Sequence, residues 1–230
     1  MLALTDTVDL EFEQVIFDDG GGHLGPMVDL RPAFDLRTGA HRSLERIERR
    51  LGRFPAAWWV PPHLKALWSA ATEHPVNVLP EGDALLLVNG RWLGLGELPE
   101  LAPSQAAVHE SGSVLGACLE PDQARAFLEQ GTLPDGIDAA EVDLPLLTWP
   151  WDLIASLSSC LLDDLENSST PPGCPDHVQL VGSAPVRIHR EAIVYPGVVI
   201  DAAAGPVVIA RGATIRPGVV LSGPCHVARG

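Results

Sequence analysis

Seven aliphatic residues near the carboxy terminus are spaced in sixes, and this restricts the fold more than any other feature of the chain. Ile188, Val194 and Ile200 form one series; Ile209, Ile215, Leu221 and Val227 form a second. The one nine-residue step between them is a hexad plus three residues. Two places before each stands a compact residue: Val186, Ala192, Val198, Val207, Ala213, Val219 and Cys225. Gly197, Gly212, Gly218 and Gly230 each follow three places after. A fixed period marks stacked structural repeats. The pattern predicts the start of a left-handed parallel β-helix over 186–230, in which each hexapeptide forms one face of a triangular prism and three make a coil. The aliphatic residue points inward and stacks on its equivalent one coil away, the compact residue fits near the corner, and glycine accepts positive φ at the turn. The extra residues, within 202–206, loop out at a corner. Solenoids end in caps, whereas this register runs to Gly230; the chain reads as a fragment truncated within the β-helix, or as one whose end a partner covers.

The first half has a different rhythm. Residues 14–17 and 84–88 are continuous apolar runs, the first halted by Asp18-Asp19 and Gly20–Gly22, the second by Asn89-Gly90. Such runs suit strands covered on both faces. Residues 57–60 read as another strand. Between them, Ser43 is placed to cap a helix carrying Leu44, Ile47 and Leu51 and stopped by Gly52, and Pro61-Pro62 opens one with Leu64, Leu67 and Trp68 on one face. Alternation of strand and helix predicts an α/β domain with a mainly parallel sheet. Residues 106–108 and 114–117 read as a hairpin, 121–130 as a short helix and 152–165 as a longer one. The stretch 167–175 is polar and rich in Pro and Ser and is read as a linker. The expected organisation is an α/β, Rossmann-like domain over 1–170 and the first coils of the β-helix over 171–230.

Composition narrows the partners. The formal net charge is −15, and 46% of residues are hydrophobic. An acidic surface repels phosphate backbones and anionic lipid, which argues against nucleic acid and membrane. Residues 1–13 lack a basic segment followed by an apolar one, so no signal peptide is expected, and the cytoplasm is the default compartment. The four cysteines are scattered, and the eight histidines show no metal-ligand spacing. His189 and His226 are read as turn or face residues.

Several stretches carry a resemblance: Val15-Ile16-Phe17-Asp18-Asp19; Leu30-Arg31-Pro32-Ala33-Phe34-Asp35-Leu36-Arg37-Thr38-Gly39; Leu87-Val88-Asn89-Gly90-Arg91; Trp149-Pro150-Trp151-Asp152-Leu153-Ile154; and Ala204 to Ile209 with Ser222 to Cys225 downstream. In this order the chain resembles the GlmU-like family of sugar nucleotidyltransferases (UDP-N-acetylglucosamine diphosphorylase/glucosamine-1-phosphate N-acetyltransferase). The resemblance implies nucleotidyl transfer to a sugar 1-phosphate such as N-acetylglucosamine 1-phosphate, an acyltransferase-type β-helix, a nucleotide sugar or sugar phosphate as ligand, Mg²⁺ as cofactor, and a homotrimer for the full-length protein.

That chemistry needs a glycine-rich loop to cradle phosphates, a cation against the leaving pyrophosphate and a carboxylate for Mg²⁺. Gly20 and Gly21 offer the loop, although the GTRM and PK elements of well-characterised pyrophosphorylases are missing. Arg31 and Arg37 are candidates for gripping phosphates, or else form structural salt bridges. Asp18 or Asp19 is the candidate for Mg²⁺, or else a strand-end Asp capping a turn. If this strand is the counterpart of the family's metal-binding strand, Asn89-Gly90-Arg91 stands where Gly-Asp would be, and Asn is a poor replacement for a carboxylate. Catalytic residues are not identifiable. Trp58, Trp59, Trp68, Trp149 and Trp151 are read as core rather than stacking platforms. Two other readings stay open: a non-catalytic module that binds a nucleotide sugar or serves assembly, and a structural scaffold, for which the strand-end crevice is filled.

Overall fold

The computed structural model describes residues 12–171 and 173–230. Most of the segment read for a signal peptide, residues 1–11, lies outside the described residues. The apolar runs form β1 (Glu13–Phe17), β2 (Ala57–Trp59) and β3 (Leu85–Asn89), and the hairpin forms β4 (Gln105–Val108) and β5 (Val114–Leu119). A further strand, β6 (Asp138–Glu141), completes a sheet of order β2-β1-β3-β5-β4-β6. All four β6 residues are exposed, so it lacks the apolar run by which the others were legible.

The sheet is mainly parallel as expected, with five of its six strands running one way and β5 alone opposed. β1 pairs parallel with β2 and β3, and β4 with β6, but β5 runs against both β3 and β4. The physical reason is the short β4–β5 loop, which allows a hairpin and is too short for a crossover. β1 and β3 sit inside and are covered on both faces. Ile16 and Val88 face a cluster with Phe34, Ile47, Trp58 and Trp92, while Val15, Phe17, Leu85 and Leu87 face one with Ala124 and Phe127. In β5 the register shifts: Ala107 pairs with Gly116 and Val108 with Val114. Leu115 is thereby left without a β4 partner and packs into the first cluster, while Ala117 and Leu119 pack into the second. Such a bulge re-aims the residues beside it, here those of the hairpin tip.

The helices are α1 (Ser43–Leu51), α2 (Lys65–Ala71), α3 (Pro121–Gln130), α4 (Asp152–Ala155) and α5 (Leu157–Glu166). Ser43 is the first helical residue and not the cap; Arg42 holds that place, its amide donating to Glu45 at 2.6 Å. Gly52 ends α1 at φ 72°. Leu67 is 48% exposed, off the packed face expected for it. The helix expected over 152–165 is two helices, because ψ of −4° at Ser156 opens the turn between them.

In the carboxy-terminal part eight short strands follow: β7 (Gln179–Gly182), β8 (Val186–Ile188), β9 (Ile193–Val194), β10 (Val199–Ala202), β11 (Val207–Ile209), β12 (Thr214–Ile215), β13 (Val220–Ser222) and β14 (Cys225–Val227). They form three small parallel sheets, β13-β10-β7, β14-β11-β8 and β12-β9. Ile209 pairs with Ile188 and Val227, Ile200 with Leu180 and Leu221, and Ile215 with Val194. The hexad positions therefore stack on one another, and both the aliphatic and the compact series contribute to one cluster with Val198, Ile200, Val207 and Ile209 fully buried. This arrangement is compatible with the coils of a β-helix. Ala40, Leu165 and Val208 join it to the α/β part through a small apolar cluster.

Candidate active-site cleft

Strands β1, β2 and β3 run parallel and end on the same side, and outside their carboxyl ends lies an open cleft of about 670 Å³. Ligands of open α/β sheets bind at such edges. The filled crevice that a pure scaffold predicts is not what the structure contains. One wall is the loop 18–22 after β1 together with 59–62 after β2; the other is the hairpin tip 111–114 and the end of α3 at 127–131, and Arg91 lies between them.

Asp18 and Asp19 follow directly on the buried β1. The Asp18 amide donates to Trp59 O at 2.8 Å, which continues the β1–β2 ladder and fixes the loop's origin. Asp18 is 6% exposed. Its carboxylate accepts the Gly20 amide at 2.9 Å and the Ala33 amide at 2.7 Å. Burial raises its pKa, against the lowering effect of those two amides. Asp19 behaves oppositely. Burial raises its pKa, but the Arg91 guanidinium, with Asn89 and the Gly21 amide, holds it below its ordinary value. Arg91 grips Asp19 with two parallel bonds, Nε to Oδ1 at 2.8 Å and Nη2 to Oδ2 at 2.7 Å, the strong bidentate form. The same guanidinium donates to Leu147 O at 2.8 Å and to Ser113 Oγ at 2.9 Å. Asn89 donates to Asp19 Oδ2 at 2.9 Å and accepts the Arg91 amide at 2.9 Å.

The structure thus brings together Asp18, Asp19, Gly20, Gly21 and Asn89. Gly90 stands behind them: a Cβ there would come within 2.5 Å of the Phe34 ring. Gly20 and Gly21 line the cleft, but their amides are directed at the two aspartates. Arg31 and Arg37 lie elsewhere. Arg31 is exposed beside Leu30 and Trp68, and Arg37 is exposed and donates to Ala40 O. The structural salt bridges that the sequence suggested are made instead by Arg46, Arg49 and Arg50 with Asp163 and Asp164. Arg91 stood within the Asn89-Gly90-Arg91 stretch without a role of its own, although a cation just after an apolar strand of an acidic chain was the available signal. Trp58 and Trp68 are core residues, but Trp149 and Trp151 are 39% and 58% exposed and stack on each other at 4.9 Å, with His23 stacked on Trp149 at 4.2 Å.

The two aspartates differ in the room they leave for Mg²⁺. A carboxylate has about four lone-pair sites, and Asp19 already accepts four hydrogen bonds. Asp18 accepts two and keeps two sites. Among the described residues no group of three His, Cys, Asp or Glu side chains could hold a metal ion. The described residues therefore form no cage for the ion. Asp18 is fit for a single place beside Mg²⁺ carried on substrate phosphates, the usual manner in which that ion binds.

The family model described as sugar nucleotidyl transferase matches residues 14–170, which include every cleft residue named above. No curated protein matches the chain. Among the described residues no helix is long and apolar enough to cross a membrane.

Proposed function

We propose, on the premise that the chain belongs to the sugar nucleotidyl transferase family, that the strand-end cleft joins a nucleotidyl group to a sugar 1-phosphate. N-acetylglucosamine 1-phosphate is the acceptor that the resemblance suggests. The observation carrying this reading is Asp18, a buried carboxylate with unused lone pairs on the floor of an open cleft. In the reaction a sugar-phosphate oxygen attacks the α-phosphorus of a nucleoside triphosphate, that bond forms, and the bond to the β-phosphate breaks with release of pyrophosphate. Asp18 would hold Mg²⁺, which when bound offsets the charge on the phosphates. The loop 18–22 shapes one wall, and Arg91 with Asn89 fixes Asp19 in place.

A second reading is favoured by one observation. Asp19 is saturated by Arg91, Asn89 and Gly21, which leaves Asp18 alone of the two strand-end aspartates with free lone pairs, and this suits a module that binds a nucleotide sugar without transferring it. Pyrophosphate release with UTP, Mg²⁺ and N-acetylglucosamine 1-phosphate separates the two. Turnover that falls at least about 100-fold in Asp18→Ala supports the transferase; nucleotide-sugar binding without turnover supports the module; neither binding nor turnover sinks both.

The carboxy-terminal strands are proposed to be the first coils of a left-handed β-helix of the acyltransferase type, in a second domain beginning near 171. The support is the stacking of hexad positions, Ile188 on Ile209 on Val227.

A further inference from the structure

The cleft's two walls differ in what they can offer a ligand. On the loop wall, the Gly20 and Gly21 amides are taken by Asp18 and Asp19. On the hairpin wall, the Gly112 amide donates to His109 O at 2.8 Å and the Ser111 amide to His109 Nδ1 at 3.1 Å. Hydroxyl groups remain. Ser113 Oγ accepts from Arg91 Nη2 at 2.9 Å and lies 3.2 Å from Ser111 Oγ, whose own proton goes to His109 Nδ1 at 2.8 Å. A hydroxyl oxygen has two lone pairs and one proton. The Ser113 proton goes to Ser111 Oγ, which leaves one Ser113 lone pair free, and its open side is the cleft that Ser113 lines. The β5 bulge at Leu115 sets the direction of this tip.

The charge of the site says what such an acceptor meets. The lining holds Asp18, Asp19 and Glu129 against Arg91, whose fork is committed to Asp19. Sugar hydroxyls can donate to that acidic lining, whereas phosphates need a cation such as Mg²⁺ to offset their charge there. Trp59, Phe127 and Leu128 add apolar surface to the same cleft, suited to the C–H face of a sugar ring.

We propose that the hairpin wall is the sugar-reading side of the cleft. Ser113 accepts from one ring hydroxyl of the sugar phosphate, and Arg91 is a positioning residue that orients Ser113. This rests on the transferase or sugar-nucleotide-binding reading of the cleft.

The test is a binding cycle on the whole chain. N-acetylglucosamine 1-phosphate and its 3-, 4- and 6-deoxy analogues are titrated by calorimetry into the wild-type protein and into Ser113→Ala, with unfolding midpoints recorded for both. Ser113→Ala is expected to weaken the parent sugar phosphate by about five- to tenfold, the effect of one hydrogen bond, and to leave one deoxy analogue unchanged. An equal loss for every analogue, or no loss for the parent, overturns the proposal while the cleft's function stands. A wild-type protein that binds neither these sugar phosphates nor UTP overturns both.

Discussion

Two of this protein's arginine–aspartate pairs, Arg46–Asp164 and Arg91–Asp19, are given different work by their surroundings. Arg46 and Asp164 are both 0% exposed and 2.9 Å apart. Asp164 also accepts the Ala40 and His41 amides, and Arg46 donates to Leu93 O and Thr38 O. Every side of that pair is protein, and it ties α1 to α5. Arg91 and Asp19 have the same chemistry, but the Asp19 side chain is 24% exposed and opens on the cleft. A closed pair fixes elements to one another; an open pair fixes the geometry presented to a ligand.

The comparison is most sharply tested at its closed end. Asp164→Ala leaves Arg46 buried without its partner and should cost about 3–5 kcal/mol, read as a lower urea midpoint at unchanged slope. A loss below about 1 kcal/mol would break the contrast. Arg91→Met should cost less, about 1–2 kcal/mol, because the exposed part of Asp19 can be rehydrated. Its larger effect should be on ligand affinity, with a loss of at least about tenfold in titration of UTP or N-acetylglucosamine 1-phosphate. Arg91→Lys should not restore that affinity, since an ammonium cannot make the fork. Equal destabilisation in Asp164→Ala and Arg91→Met would show that both pairs are staples.

Acid titration sharpens the open end. The Asp19 pKa is lower in the folded chain than in the unfolded one, so its stabilisation is complete above the ordinary carboxylate value. It is lost as pH falls through the lower folded value. Asp18 has the opposite sign: its raised pKa means that burying its charge costs stability at neutral pH, a cost relieved as pH falls through its folded value. Asp19→Asn should therefore flatten the acid limb of the stability profile below about pH 4; an unchanged limb would refute the role given to Asp19. The smallest effect is expected from Gly21→Ala, whose Cβ would come within 2.8 Å of Arg91 Nη2. Global stability should change by less than about 1 kcal/mol, while ligand titration registers the displaced guanidinium as weaker binding.

Legibility in the sequence followed burial and locality. β1 and β3 were readable because both faces are covered and the apolar runs are unbroken. The β4–β5 hairpin and α3 announced themselves through turn residues and Pro121 at the helix start. β6 was invisible because its side chains are all exposed, and the break at Ser156 because a backbone angle leaves no mark in composition. Among the candidate site residues, the four that follow β1, with Asn89 and Gly90, came together because strand ends in a parallel sheet share one edge. Arg31 and Arg37 did not, since a cation in a loop carries no sign of the direction it faces. Trp149 and Trp151 were expected in the core; their exposed stack shows that size and apolarity alone do not decide burial.

What the sequence determined unaided was the repeat: a six-residue period is a local property, and stacked parallel strands satisfy it wherever they lie. It also determined the order of strands and turns that delivers Asp18 and Asp19 to a sheet edge. Only the tertiary structure decided that Arg91, 72 residues away from Asp19, would close on it, that Ser113 would stand on the far side of the same guanidinium, and that the glycine amides would be spent on the aspartates. Hydrogen bonds are made by whichever groups the packed chain brings within about 3 Å, and separation along the sequence holds no record of that distance.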